Sequence, residues 1–208
     1  GPQSYHLLPK MIDAHNEYQK KQINTDFIIN EKFDFIHEEK SPKGVSSYIT
    51  IQEGCDKFCA FCVVPFTRGP EYSRSVINIV EETKSLLDRG TREIVLLGQN
   101  VNAYSYTNEK NMTYSISKLI DEISKLDNVK RIRYTTSHPN NMDQELMRLH
   151  GSNEKLMPFL HLPVQSGSNK ILKNMNRKYS IDEYKKIIDD LKTYCPNIEI
   201  SSDFIIGF

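Results

Sequence analysis

From Ser46 onward, short β-branched runs alternate along the chain with stretches whose apolar residues recur every three or four positions. Ser47-Tyr48-Ile49-Thr50-Ile51 reads as a first strand. Val76, Ile79, Val80 and Leu87 then share one helical face, which Gly90 ends. Glu93-Ile94-Val95-Leu96-Leu97, closed by Gly98, is a continuous apolar run that suits a buried parallel strand. Ile116, Leu119, Ile120 and Ile123 predict a second helix after Ser115, and Arg131-Ile132-Arg133-Tyr134-Thr135 a third strand. Leu146 and Leu149 mark a short helix, and Phe159-Leu160-His161-Leu162 a fourth strand stopped by Pro163. A short helix follows over about Asn169 to Met175. Ser180 and Glu183 then form an S-x-x-E capping box ahead of Tyr184, Ile187, Ile188 and Leu191, and Ile198 to Ile206 reads as a fifth strand.

Strand–helix units in succession predict a parallel sheet with crossover helices. Five such units, with no glycine-rich dinucleotide fingerprint after the first strand, favour an incomplete α/β barrel of the TIM type over a Rossmann sheet. Barrel enzymes gather their chemistry at the C-terminal ends of the strands. Residues 1 to about 44 are mixed and weakly periodic, with Ser41-Pro42-Lys43-Gly44 as a turn cluster. They read as the end of one unit plus a linker, ahead of a core over 45–208. A chain that opens on Gly1-Pro2 and stops at Phe208 straight after an apolar run is expected to be a fragment.

Composition narrows the partners only slightly. Lys and Arg number 27 and Asp and Glu 27, so no global basic field argues for nucleic acid. No apolar run approaches membrane-spanning length and no signal peptide is evident, so the cytoplasm is the expected compartment and no membrane partner is expected.

The chemistry concentrates in Cys55-Asp56-Lys57-Phe58-Cys59-Ala60-Phe61-Cys62, a C-x3-C-x2-C spacing directly after the first strand. Closely spaced cysteines without a secretory leader read as a metal or redox site. Three thiolates on one loop suit three irons of a cubane cluster, the fourth iron being left open. Zinc remains an alternative on spacing alone, although Cys195, the remaining cysteine, follows the last helix at the opposite end of a barrel.

This spacing in this position, with Phe61 just before the third cysteine, resembles the signature of radical S-adenosylmethionine enzymes. The resemblance implies a 4Fe-4S cluster held by Cys55, Cys59 and Cys62, whose open iron is chelated by the methionyl amino and carboxylate groups. Electron transfer then cleaves the sulfonium and yields a 5′-deoxyadenosyl radical, chemistry that the cofactors supply. No catalytic residue beyond the cluster ligands is implied.

Polar blocks follow the strands: Val63-Val64-Pro65-Phe66-Thr67-Arg68-Gly69 with Ser73-Arg74, Gly98-Gln99-Asn100-Val101-Asn102, Thr135-Thr136-Ser137-His138-Pro139, Gln165-Ser166-Gly167-Ser168 with Met175-Asn176-Arg177, and Ser201-Ser202-Asp203. Together they resemble the methylthiotransferases that modify isopentenyl-adenosine beside the tRNA anticodon. Two related families act on threonylcarbamoyl-adenosine in tRNA or on a ribosomal protein, and a non-catalytic truncated remnant is a further alternative.

The resemblance implies six strand–helix units in the full core, five of them here. It also implies an N-terminal methylthiotransferase domain, ending within 1–44, that carries a second, auxiliary 4Fe-4S cluster. The implied partners are the anticodon stem-loop and a flavodoxin-type electron donor, and a monomer is expected. Without the auxiliary cluster, which the sulfur-insertion step needs, this chain alone is not expected to be competent.

Phe61, Gln99, Asn100, Gln165, Ser166 and Arg177 are the candidate cofactor-binding residues. The polar ones have a plainer reading: Gln99 and Asn100 as a polar turn, Gln165 and Ser166 as part of a turn that needs Gly167, and Arg177, otherwise a partner for a carboxylate or phosphate, as a solvated helix-end residue. Arg68 and Arg74 either meet RNA phosphate or brace the cysteine loop. His138 reads as a turn residue, His161 as a core histidine, and Asp203 as a nucleoside contact or a partner of Arg133.

Overall fold

The computed structural model describes residues 2–25 and 44–208. Of the expected turn at 41–44 only Gly44 lies among them, and the rest of that cluster and of the linker falls outside the described residues. The strands of the core are β1 (Ser46–Thr50), β4 (Glu93–Leu97), β7 (Arg131–Tyr134), β8 (Phe159–His161) and β9 (Glu199–Ser201). β1, β4 and β7 pair in parallel in that order, with Ile49 opposite Leu96 and Ile94 opposite Ile132. A parallel bridge between Ile132 and Leu156 leads on to β8, which pairs in parallel with β9. The order β1–β4–β7–β8–β9 follows the chain, as a barrel wall requires.

The crossovers are α3 (Val76–Asp88), α4 (Ile116–Ser124), α5 (Gln144–Ser152), and the pair α6 (Asn169–Asn174) and α7 (Ile181–Tyr194). Their starts follow from side-chain caps: Ser75, Ser115 and Asp143 each accept a backbone N–H, and Ser180 with Glu183 completes the capping box. One core joins Ile49, Ile79, Leu96, Leu119, Ile132 and Leu160, all 0% exposed. Burial of β4 on both faces explains its unbroken apolar run. Cys195 caps α7 and packs into this core, ahead of the strand β9.

The fifth strand departs from expectation. It is regular only over Glu199–Ser201, not to Ile206: the Leu162 amide still donates to Ser201 O, but the next ladder amide, Val164, turns to the Ser202 side chain instead of a facing carbonyl, and the register shifts by one residue. The Ser202 hydroxyl fills the gap, accepting from the Val164 amide at 2.9 Å and donating to the Leu162 carbonyl at 3.0 Å. Backbone pairing then resumes, Gln165 N–H donating to Asp203 O and Ile205 N–H to Gln165 O, both at 2.9 Å.

Other elements were not read from the sequence. β2 (Gln52–Glu53) pairs antiparallel with β3 (Tyr72–Ser73) and frames the cysteine loop together with α2 (Val64–Arg68). β5 (Ser105–Thr107) and β6 (Thr113–Ser115) form a hairpin whose turn is closed by Asn108, its Oδ1 accepting from Lys110 and Met112. At the N-terminus, α1 (Leu8–Tyr18) buries no residue, so the weak periodicity there reflects a helix outside the core.

Tyr134 Oη lies 2.7 Å from Nε2 of His150, which is 4% exposed on α5. Burial pulls the His150 pKa from its ordinary 6.5 down to about 4, partly offset by the nearby Met157 backbone. The folded state thus binds its proton less readily than the unfolded chain, so this contribution is complete above about pH 6.5 and is lost as the pH falls towards 4. It is worth about 3 kcal/mol. His138, lowered likewise, acts in the same direction. Urea unfolding at pH 7 and pH 4 should show this loss, and His150→Gln should reduce it; an unchanged pH dependence in the variant would refute the assignment.

Candidate radical centre on the loop after the first strand

The loop from Cys55 to Cys62 has almost no regular structure, and its shape is imposed from outside. Gly54 opens it with φ +77°, and a Cβ there would stand 1.9 Å from the Pro70 carbonyl oxygen, so the chain turns here only as glycine. The Cys55 amide then donates to Gly69 O at 3.2 Å and the Cys62 amide to Cys59 O at 2.9 Å. Phe58 sits at φ 49°, a left-handed conformation that costs about 1–3 kcal/mol and persists where surroundings enforce it.

One side of the loop is held by Gln52, which is fully buried. Its Oε1 accepts from the amides of Gln99 at 2.9 Å and Asn100 at 3.0 Å, and its Nε2 donates to the carbonyls of Gly54 at 2.7 Å and Glu53 at 3.2 Å. Gln99 returns the link, its Oε1 accepting from the Gly54 amide at 2.8 Å. Gly98 permits this approach, since a Cβ there would lie 2.6 Å from Gln52 Oε1.

The segment after α6 holds the other side. The Ala60 amide donates to Met175 O at 3.0 Å, Asn176 Nδ2 to Phe58 O at 2.8 Å, and Arg177 Nη1 to Cys59 Sγ at 3.3 Å.

Cys55 and Cys62 are half-buried and Cys59 is buried. Burial pushes the Cys55 thiol up to about 11; a backbone hydrogen bond from Lys57 opposes this, and the charges of Glu71, Cys59 and Cys62 add to it. Three thiols near enough to repel one another as thiolates call for a cationic centre among them. Among the described residues no group of three His, Cys, Asp or Glu side chains converges on a single-ion site. Three thiols on one short loop are the kind of donor set that caps three irons of a cluster.

The remaining candidates ring the same end of the sheet. Asn100 is 1% exposed; its Nδ2 donates to Glu71 Oε1 at 2.9 Å and to Asn141 Oδ1 at 3.2 Å, while its Oδ1 has no partner among the described residues. Phe61 is exposed and meets the edge of Phe208 at 6.5 Å. Gln165 and Ser166 are half-buried in the turn after β8. It is Gln165, at φ 67°, that takes the left-handed conformation there, and a Cβ on Gly167 would meet nothing, so the turn does not need that glycine.

Several plainer readings change. Arg177 is not solvated; it is 8% exposed and faces Cys59. Arg68 and Arg74 brace the frame, pairing with Glu53 at 3.0 Å and Glu82 at 2.8 Å. His161 is not a core histidine: its side chain is 26% exposed, with Nε2 3.3 Å from Asp203 Oδ2. Asp203 thus pairs with His161, while Arg133 lies 3.9 Å from Glu93. His138 is the turn residue expected, its Nδ1 accepting from the Asn140 amide. Beside it, Asp56, Lys57, Asn140, Asn176 and Lys178 complete a small cavity of ≈ 130 Å³. A larger cleft of ≈ 650 Å³, around Tyr114, Lys118 and Lys125, shares no residue with this site. Sequence reasoning missed Gln52, for which an isolated polar residue after an apolar strand was the available signal.

A parallel α/β wall with a three-cysteine loop at its C-terminal end defines a class of proteins built for cluster-dependent radical chemistry. The chain belongs to the Radical SAM superfamily, whose family model matches residues 49–208. A 4Fe-4S cluster and S-adenosylmethionine are what that family implies.

Along its whole length the chain is 55% identical to the tRNA-2-methylthio-N(6)-dimethylallyladenosine synthase of Anaplasma phagocytophilum (strain HZ), covering 47% of that protein. It is 52% identical to the synthase of the same name from Pelagibacter ubique (strain HTCC1062) and 50% to that from Rickettsia akari (strain Hartford), with 47% of each covered. The chain thus spans about half the length of the curated relatives it matches. Among solved structures, the cobalamin-dependent S-adenosylmethionine radical enzyme OxsB superposes with TM-score 0.59 at 14% identity, over 76% of this chain and 23% of that one. The radical S-adenosylmethionine methyltransferase TsrM from Kitasatospora setae gives 0.56 at 16% identity, over 78% and 30%. These two likenesses support the fold.

Gln52→Ala should leave the amides of half-buried Gln99 and buried Asn100 without their acceptor and cost about 2–4 kcal/mol. Urea unfolding measures the loss, and the reconstituted variant should retain less iron than the parent. A variant as stable as the parent would show that Gln52 does not hold this loop.

Proposed function

We propose that this chain is the radical core of a cytoplasmic methylthiotransferase that adds a methylthio group to isopentenyl-adenosine beside the tRNA anticodon. The observation that carries the reading is the three-cysteine loop at the C-terminal end of the sheet, in a chain 50–55% identical along its length to synthases of that name. Residues 45–208 form the radical core. Residues 1–44 are the end of an N-terminal methylthiotransferase domain plus linker, a division supported by a helix α1 that buries nothing and exposes Leu8 and Ile12.

Cys55, Cys59 and Cys62 hold the 4Fe-4S cluster with one iron open. When bound, that group supplies the one-electron cleavage of the S-adenosylmethionine sulfonium bond, giving methionine and a 5′-deoxyadenosyl radical. The chain's own residues bind and orient. Buried Asn100 Oδ1, an acceptor without a donor among the described residues, suits the cofactor's α-amino group. The exposed Phe61 ring offers a stacking face beside the third cysteine. Gln165 and Ser166 border the site from the turn after β8, and Arg177 from below Cys59. Sulfur comes from an auxiliary 4Fe-4S cluster on the N-terminal domain, electrons from a flavodoxin-type donor, and the enzyme works as a monomer on the anticodon stem-loop. No helix among the described residues is long and apolar enough to cross a membrane.

Anaerobic reconstitution should load about four irons per chain, and dithionite with S-adenosylmethionine should then release 5′-deoxyadenosine. The variant with Cys55, Cys59 and Cys62 all changed to Ala should do neither. Absence of deoxyadenosine from the loaded parent would sink the enzymatic reading.

In cells lacking the gene, mass spectrometry of tRNA nucleosides should show isopentenyl-adenosine without its methylthio group. Unchanged methylthio-isopentenyl-adenosine would exclude this substrate.

A further inference from the structure

Arg177 is a buried cation whose contacts among the described residues include one partner able to carry negative charge. The guanidinium is 8% exposed. Nε donates to Tyr179 Oη at 3.0 Å and Nη2 to the Pro163 carbonyl at 3.0 Å, and the group lies 5.1 Å over the Tyr179 ring. These partners are neutral. The third contact, from Nη1 to Cys59 Sγ at 3.3 Å, is to a group that becomes an anion when it ligates iron. Arginine does not shed its charge, so a buried guanidinium is costly unless an anion answers it. His138, edge-on to Tyr179, offers no such anion.

The donor is also fixed in place. Tyr179 Oη, while accepting from Arg177, donates to Val164 O at 2.8 Å and so ties the guanidinium to the end of β8. The neighbouring contacts from Ala60 to Met175 and from Asn176 to Phe58 hold Cys59 in register with it. Three residues in a row thus grip the loop, and the third ends on a sulfur.

We infer that Arg177 is a positioning residue that raises the reduction potential of the cluster by donating a charge-assisted hydrogen bond to the Cys59 sulfur. The inference rests on the reading that Cys55, Cys59 and Cys62 hold that cluster. An added electron increases the negative charge on the cluster's sulfurs, so a fixed cationic donor stabilises the reduced form more than the oxidised one. The electron itself comes from an external one-electron reductant, and Arg177 changes only how readily the cluster accepts it.

Redox titration of the anaerobically reconstituted protein, followed by electron paramagnetic resonance, tests this with Arg177→Gln and Arg177→Lys. At the parent's midpoint, the reduced-to-oxidised ratio should fall about tenfold in Arg177→Gln, about 59 mV for a one-electron couple. Arg177→Lys, which keeps the charge, should fall by less. A purely structural role would lower iron content or thermal stability but leave the midpoint of the clusters that form unchanged. An unchanged midpoint in Arg177→Gln therefore overturns the inference.

A second measurement needs no variant. In parent protein carrying ¹⁵N-guanidino arginine, hyperfine spectroscopy of the reduced cluster should detect a nitrogen coupling, and its absence also overturns the inference. A parent that takes up no iron overturns the reading of the site and this inference with it. A parent with its cluster and an unmoved midpoint overturns the inference alone.

Discussion

Everything at this site depends on how an eight-residue loop with little secondary structure is held in one shape, and the buried Gln52 side chain is the first part of the answer. It closes the gap between the end of β1 and the end of β4, giving its oxygen to two amides and its amide to two carbonyls. Buried backbone groups without partners would each be costly. A single side chain therefore determines where Gly54 leaves the sheet and where Asn100 stands. The loop's own hydrogen bonds, from Cys55 to Gly69 and Cys62 to Cys59, then shape the rest.

The opposite side is secured through the chain that follows β8. The contacts of Met175, Asn176 and Arg177 bring the fourth strand–helix unit onto the cysteine loop. The left-handed residues Phe58, Thr136 and Gln165 each lie just past a strand, at the end of the sheet where this loop sits. Asn176, which grips the loop, is left-handed as well, whereas Gln19 and Asn111 take that conformation at a helix end and in a hairpin turn elsewhere. The charges are arranged in the same sense: Arg68 and Arg74 are committed to Glu53 and Glu82, while Arg177 faces sulfur.

Much of the wall was legible beforehand. The continuous apolar run of β4, the helical stripe of α4 and the Ser180–Glu183 box carry local signals strong enough to survive in isolation, and the structure places them as read. The fifth strand is shorter than its pattern predicts, because alternation in Ile198 to Ile206 does not reveal that the Ser202 hydroxyl takes the Val164 amide and the Leu162 carbonyl out of the ladder. The hairpin β5–β6 was passed over because its strands are only three residues long. The apolar flank of His161 predicts a core histidine, and it does not reveal that Ser201 and Asp203 stand opposite it.

The sequence by itself determined the order of strands and helices, the cysteine spacing and the placing of polar blocks past strand ends, since each is written in neighbours along the chain. Only the tertiary structure decided what those blocks do. Gln52 finds its amides 47 and 48 residues away, and Arg177 meets Cys59 across 118. Hydrogen bonds and charge pairs act over a few ångströms, and closing the parallel wall is what brings such distant positions within that range.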